Sequence, residues 1–500
     1  MGSLKNKAAE LWASAHVAHA EKWKKNPIEA QKKWLEYLLK KAENTQFGRE
    51  HFFSQIKSVK DFQDKVQISD YETIKPYIEQ IKNGKKDILW QGKPAYLAKT
   101  SGTTSGVKYI PISSESISFQ IEGAKSSLLH YIHKKKNADF VSGKMIFLQG
   151  SPELDEINGI KVGRLSGISA HYVPNYLQKN RLPTWKTNCI EDWEEKINQI
   201  VEETIHQNMT VISGIPPWLV MYFEKLTEKS GKPIGELFPN LQLLVTGGVN
   251  YAPYKEKINE QIGRELDIIQ TYPASEGFIA FQNDFEEDSL LLLVDHGIFY
   301  EFIPVEEADS PNPTRLSLEE VELGKDYSII LTTDAGLWAY QIGDTVRFVS
   351  KNPYKIIVSG RTKHYTSAFG EHVISIEAER ALEETVNQFE SETVVREFTL
   401  APQVNPAEGL PYHEWFIEFE KEPKNLQKFA QVLDEALRRR NTYYNDLITG
   451  KVLRPLVISQ VRKNGFNEYM KREGKLGGQN KLPRLANDRK IADGLTEFLE

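Results

Sequence analysis

Three features of the sequence predict an α/β fold with a large N-terminal domain and a small C-terminal α+β domain. Short apolar runs alternate with helical stretches from Lys144 onward, closely spaced strands crowd residues 289–358, and the pattern shifts again after Gly360-Arg361-Thr362-Lys363. A chain of 500 residues also exceeds one ordinary core, so two or more domains are expected.

The first 45 or so residues carry Leu11, Ala15 and Ala18, then Trp34, Tyr37 and Leu38, at helical spacing between lysines and glutamates. Strands are predicted at Met145–Leu148, Val211–Ile212, Leu241–Thr246 and Leu266–Gln270, with helices Trp193–His206 and Trp218–Lys229 between them. That alternation argues for mixed or parallel sheet. The runs Leu290–Val294, Ile298–Val305, Tyr327–Thr332, Thr345–Ser350 and Lys355–Ser359 predict a β-rich subdomain. Beyond them, helix Ile376–Phe389, strands Thr393–Leu400 and Glu414–Glu420, helix Leu426–Arg440 and strand Leu456–Val461 predict a compact α+β unit. The expected division is 1–362 and 363–500.

Composition narrows the class. Hydrophobic residues make up 40% and charged residues 26%, as in an ordinary water-soluble globular protein. The 63 basic and 69 acidic side chains leave a net charge of -6, too balanced to pull the chain toward nucleic acid or an anionic membrane. The one cysteine, Cys189, excludes an internal disulfide and any multi-cysteine metal site. No run approaches the roughly 20 apolar residues that span a bilayer. The N-terminus has no apolar signal core, and Asn6 stands where a myristoylation pattern needs Ser or Thr. A cytoplasmic protein is expected, with monomer favoured.

The most informative stretch is Thr100-Ser101-Gly102-Thr103-Thr104-Ser105-Gly106-Val107-Lys108. Glycines let a backbone approach phosphate oxygens, hydroxyls and amides donate to them, and a lysine adds charge. The glycine spacing is not that of a Walker loop, and Lys108 is not followed by Ser or Thr. A polar surface loop has the same composition, so this stretch alone leaves both readings open.

It resembles the phosphate loop of the adenylate-forming superfamily, and four further segments match that superfamily in order. Val245-Thr246-Gly247-Gly248-Val249 resembles the backbone against which adenine lies. In Tyr272-Pro273-Ala274-Ser275-Glu276 the resemblance implies an aromatic on adenine, a hydroxyl at the α-phosphate and a glutamate holding Mg²⁺. Tyr340-Gln341-Ile342-Gly343-Asp344 resembles the ribose-binding motif, although Gln341 departs from the usual Arg or Thr. Gly360-Arg361, with Gly370 further on, resembles the hinge between large and small domains, with Arg361 at the ribose or phosphate and Lys363 at the pivot.

Other segments resemble one branch, the acyl acid–amido synthetases known in plants as the Gretchen-Hagen or auxin-responsive family. They are Asn44–Arg49, Asp61-Phe62, Ile68–Glu72, Lys108–Pro111, Ser213–Trp218 and Gly478–Arg484. The chain is shorter than typical plant members, which implies that some insertions shaping plant substrate pockets are absent. The resemblance implies that a carboxylate attacks the α-phosphate of Mg-ATP, and that an amine, usually of an amino acid, then displaces AMP. Thr100–Gly106 with Lys108 would grip the β- and γ-phosphates, and Glu276 with Mg²⁺ the α-phosphate. Lys481 would approach the α-phosphate as the small domain closes over the site; Gly477-Gly478 upstream give its segment the freedom to do so. A solvated basic tail is the plainer reading of residues 471–490. Ser166, Trp218, Leu219 and Phe223 are candidates for the acyl pocket, although aromatics on a helix face are more often core.

Two rivals remain open here. Coenzyme A in place of the amine would give an acyl-CoA ligase, and loss of catalysis would give a nucleotide-binding switch. The sequence lacks a Gly-x-Ser-x-Gly elbow, a His-Glu-x-x-His helix, a Gly-x-Gly-x-x-Gly fingerprint and a kinase His-Arg-Asp loop.

Overall fold

Helices Gly2–Lys25 and Pro27–Ala42 open the chain, the second with proline in its first turn, where no amide hydrogen is needed. The structure, a computed structural model, describes residues 2–103, 106–173, 178–249, 251–308, 310–361, 365–371, 373–389, 393–473 and 482–500. Helix Tyr71–Lys82 begins where the Asp70 carboxylate accepts the Thr73 amide hydrogen. Helix Ser114–Lys135 begins on a capping box of Ser113 and Ser116, each hydroxyl accepting the other's amide hydrogen.

The first strands are β1 (Tyr96–Thr103), β2 (Gly106–Ile112), β3 (Lys144–Phe147), β4 (Asp155–Ile157) and β5 (Ile160–Gly163). Next come β6 (Arg181–Leu182), β7 (Met209–Ser213), β8 (Leu243–Gly247), β9 (Asp267–Ala274) and β10 (Gly277–Phe281). Then follow β11 (Leu290–Leu292), β12 (Ile298–Pro304), β13 (Asp326–Thr333), β14 (Tyr340–Lys351) and β15 (Tyr354–Arg361). The last are β16 (Tyr365–Thr366), β17 (Val373–Ile374), β18 (Val394–Gln403), β19 (Tyr412–Lys421) and β20 (Val457–Val461).

An 11-stranded sheet runs in the order β12-β13-β14-β15-β11-β10-β9-β8-β7-β3-β6. Its β6-β3-β7-β8-β9 half is parallel, and everything from β9 to β12 is antiparallel. The β-rich region of residues 289–358 therefore continues the same sheet rather than standing beside it. In the parallel half, Met145, Val211 and Leu243 pack on one face with Tyr131 and Phe140. Their neighbours Ile146, Ile212 and Leu244 pack on the other with Leu219 and Phe223. Each such buried side chain contributes about 1.5–3 kcal/mol, and a one-residue slip would exchange the two faces, so this alternation fixes the register. A second sheet, β2-β1-β5-β4, adjoins the first.

The C-terminal sheet β18-β19-β20 repeats the logic. Leu400, Trp415 and Ile417 pack with Phe429 and Leu433 of helix Leu426–Arg440, while Ala401 and Phe416 pack with Phe466, Tyr469 and Leu495. Phe369 and Val373 are fully buried in the cluster that also holds Tyr254 and Ile212, and the Tyr254 hydroxyl donates to the Ala368 carbonyl at 2.7 Å. Among the described residues, no helix is long and apolar enough to cross a membrane.

Candidate active site

Ligands in sheets of this kind gather outside the carboxyl ends of parallel strands. There β8 ends at Thr246-Gly247, followed by Gly248. A Cβ on Gly247 would lie 2.4 Å from Thr271 Oγ1 and 2.5 Å from the Thr271 carbonyl oxygen, so only glycine fits against β9. Gly248 has φ +76, and a Cβ there would meet only Ile215 Cγ2, at 3.4 Å. Gly247 is thus set by its packing on β9, while Gly248 leaves the backbone largely uncovered. The Thr246 hydroxyl just before Gly247 is buried without a hydrogen-bond partner.

On the neighbouring strand β9, the Tyr272 hydroxyl donates to Asp344 Oδ2 at 2.5 Å, with both residues buried. Asp344 stands on β14 after Gly343, whose φ of +90 is a conformation glycine adopts freely. Its backbone pairs with that of Arg361, and Thr345 pairs with Gly360. The side chain of Arg361 lies outside the described residues. The sheet thus brings together four segments named from the sequence, those around Gly247, Tyr272, Asp344 and Arg361. The sequence predicted that the tyrosine motif follows its strand; β9 runs on to Ala274, leaving Ser275 and Glu276 as the β9–β10 turn. Both are partly exposed.

The segment predicted as a phosphate loop is largely a β-hairpin. Thr100 pairs with Lys108 and Thr103 with Gly106. Threonine suits extended backbone, which is why a hydroxyl-rich stretch folds as strand rather than open loop. Thr104 and Ser105 lie outside the described residues, as do the side chains of Ser101 and Thr103. Lys108 Nζ is 5.8 Å from the Tyr71 ring, and the Tyr71 hydroxyl accepts the Tyr109 amide hydrogen at 2.9 Å. Burial pushes the Tyr71 phenol up to about 12. Burial, then the charges of Glu276, Asp70 and Glu72, push the Tyr340 phenol well above its ordinary value.

Of the acyl-pocket candidates, Leu219 and Phe223 are fully buried in the core, and Ser166 and Trp218 are partly exposed. Lys363 and Lys481 lie outside the described residues. Just past Lys481, the Pro483 carbonyl accepts from Thr399 Oγ1 and the Arg484 carbonyl from the Leu400 amide. Among the described residues, no cluster of three or more His, Cys, Asp or Glu side chains is placed to hold a metal ion. A Mg²⁺ ion needs no such cage, since one carboxylate with waters and substrate phosphates usually holds it, and Glu276 is a carboxylate of that kind.

Two supporting residues escaped the sequence. Buried Gln120 donates from Nε2 to the Ala274 carbonyl at 2.7 Å, holding the turn that carries Glu276. Buried Ser69 bridges to Tyr340: the Gln341 amide donates to the Ser69 carbonyl at 2.8 Å. A single glutamine in a helix and a serine before a helix cap carry no local signal of such reach.

Three family models match in order: the GH3 family N-terminal domain over residues 17–180, its central domain over 291–361 and its C-terminal domain over 376–490. A jasmonoyl–L-amino acid synthetase of Oryza sativa subsp. japonica is 23% identical, over 83% of this chain and 85% of its own length. An indole-3-acetic acid-amido synthetase of Arabidopsis thaliana is 22% identical over 87% of both chains. Among solved structures, an acyl acid amido synthetase in complex with 2,4-DB superposes with TM-score 0.62 at 19% identity, covering 98% of this chain and 96% of its own. A 2-hydroxyisobutyryl-CoA ligase with 2-HIB-AMP and CoA superposes with TM-score 0.59 at 14% identity, covering 94% and 91%.

Proposed function

Because this chain belongs to the GH3 family, we propose that the crevice at the ends of β8, β9 and β14 binds ATP and builds an acyl-adenylate there. The protein is a ligase that joins a carboxylic acid to an amine through that adenylate. A carboxylate oxygen attacks the α-phosphorus and pyrophosphate leaves. The amine nitrogen then attacks the acyl carbon, the bond to the phosphate oxygen breaks, AMP departs and a proton is lost.

The bare Gly247-Gly248 edge and the Tyr272 ring take the adenine, and Asp344 accepts from the ribose hydroxyls. The Thr100–Gly106 hairpin with Lys108 takes the β- and γ-phosphates. Ser275 lies at the α-phosphate, Glu276 ligates Mg²⁺, and Arg361 lies at ribose or phosphate. The metal supplies charge neutralisation at the phosphates. Lys481 acts on the charge that develops at the α-phosphate. Ser166 and Trp218, the partly exposed acyl candidates, face the acid, with Leu219 and Phe223 behind them. We place the domain boundary near residue 362 and the protein, as a monomer, in the cytoplasm.

The observation that carries this reading is the Tyr272–Asp344 hydrogen bond beside a glycine edge, where two separate ligand motifs of the sequence meet. The test is ATP–pyrophosphate exchange over a panel of acids that includes jasmonic and indole-3-acetic acids, followed by L-amino acids or coenzyme A. Acid-dependent exchange and amide products are expected. Thioester as the sole product would replace the amine with coenzyme A, and acid-independent nucleotide binding would end the enzyme reading. Lys481→Ala is expected to lower exchange by about 100-fold or more, the loss typical of one charge acting in the transition state. Near-normal exchange would remove Lys481 from the assignment.

A further inference from the structure

The helix Thr442–Thr449 reaches from the C-terminal unit onto the base of the phosphate hairpin. The Tyr443 hydroxyl donates to the Lys99 carbonyl at 3.2 Å, one residue before Thr100. The Arg164 guanidinium lies 4.4 Å from the centre of the Tyr443 ring, and its NH2 meets Asp446 Oδ2 at 2.5 Å. Lys99 and Arg164 are neighbours in space because β1 and β5 run parallel, with Ala98 opposite Gly163. The Lys99 ammonium is held by Asp155.

This helix is pinned from behind. Asn441 caps it and donates from Nδ2 to Glu377 at 3.0 Å. Tyr444 stacks on His413 at 5.0 Å and donates to Asp434 at 2.6 Å. His413 in turn meets Glu371 at 2.8 Å, and Glu371 accepts the Phe369 amide hydrogen. Residues 369–371 and helix Thr442–Thr449 are therefore tied together into one block by buried contacts. The other edge of that block lies on the glycine end of the crevice, where a Cβ on Gly370 would stand 3.6 Å from Ile215 and 3.8 Å from Val249. The block bridges the crevice from the Gly248 side to the hairpin side.

We infer that Tyr443, Arg164 and Asp446 form a positioning clamp that holds the C-terminal unit over the acyl-adenylate until the amine arrives. The inference rests on the adenylation reading above. An acyl-adenylate has two fates in this crevice. Attack by an amine gives amide and AMP; attack by water gives the starting acid and AMP. Closure that excludes water selects the first. The clamp touches no group assigned to ATP and acts once the adenylate exists, after Lys481 has done its work at the α-phosphate, so its loss leaves adenylation in place and opens the water route.

The experiment uses the full chain, the panel acid with the fastest exchange, and an equimolar mixture of the twenty L-amino acids. Exchange, AMP release and amide formation are measured on wild type, Arg164→Ala, Tyr443→Phe, and the swap Arg164→Asp with Asp446→Arg. Wild-type exchange without any amide would refute the underlying reading and leave the clamp unneeded. With wild-type amide present, Arg164→Ala is expected to keep exchange within about twofold while amide per AMP falls about fivefold, the size of one stacked ion-paired contact. Tyr443→Phe is expected to move the same ratio by less, and the swap to restore part of it. Exchange and amide falling in parallel, or an unchanged ratio, would overturn the clamp.

Discussion

Among the described residues, two buried Tyr–Asp hydrogen bonds stand in contrasting surroundings. In the large unit Tyr272 donates to Asp344 at 2.5 Å; in the small unit Tyr444 donates to Asp434 at 2.6 Å. Around Asp344 lie Gly343, Gly360 and, beyond Tyr272, the Gly247-Gly248 edge. Around Asp434 lie the Leu456 amide, which also donates to it, and the sealed His413–Glu371 pair. A buried Tyr–Asp hydrogen bond is therefore not a site by itself. On the proposed reading glycine next to it makes one, while side chains packed around it make a rigid body.

The comparison breaks most sharply at the carboxylates. Asp344→Ala is expected to lower kcat/KM for ATP about 100-fold, since hydrogen bonds to a charged group are worth roughly 1.5–3 kcal/mol each and two ribose hydroxyls are served. Its midpoint in urea should fall by the smaller amount of one buried group, the Tyr272 hydroxyl, left unpaired. Asp434→Ala should weigh the other way, costing about 3 kcal/mol of stability because the Tyr444 hydroxyl and Leu456 amide are both left buried and unpaired. Exchange per folded molecule should stay near wild type. If Asp434→Ala loses exchange while remaining folded, the two pairs are not separable in role.

The small unit also holds a titratable group that the large unit's crevice does not match. Burial pushes Glu377 from 4.5 up to about 7, against the opposing hydrogen bonds from Asn441 and the Ile374 amide. Its folded value lies above its unfolded one, so the folded state binds the extra proton between the two. The stability it contributes is fully present below 4.5 and is lost as pH rises through about 7. Glu377→Gln removes that loss while keeping an acceptor oxygen. The variant is expected to gain on wild type by about 2 kcal/mol between about pH 5 and pH 8. A constant difference across that range would refute an elevated Glu377.

How far the sequence carried this picture depends on the range of each interaction. Strand and helix placement was legible because burial alternates residue by residue, as at Met145-Ile146 and Trp415-Phe416. The glycine and aspartate segments could be named from local spacing, and the Tyr272–Asp344 bond brings two of the named segments together. The hairpin was read as a loop because hydroxyl-rich residues serve turns and strands alike, and only the pairing of Thr100 with Lys108 decides between them. Gln120 holding Ala274, and Arg164 reaching Asp446, join residues 154 and 282 positions apart. No local pattern records partners at that distance.

The smallest expected effect is the most discriminating. Tyr272→Phe and Tyr444→Phe delete one hydroxyl each from matched pairs, at nearly equal donor–acceptor distance. Either deletion leaves an aspartate short of one donor, a loss of about 1–2 kcal/mol. For Tyr444→Phe that loss should appear in the unfolding midpoint, because no ligand reaches a residue with no exposed surface. For Tyr272→Phe the ring proposed to face adenine is kept, and on that reading Asp344 recovers a donor from the ribose once ATP binds. The free enzyme is then the state that suffers, while the bound state is partly repaired. KM for ATP should therefore change less than threefold or so, and the unfolding midpoint should fall without nucleotide and recover with it, by linkage. Equal shifts with and without ATP would mean that Asp344 gains no partner from the nucleotide, and that the ribose lies elsewhere.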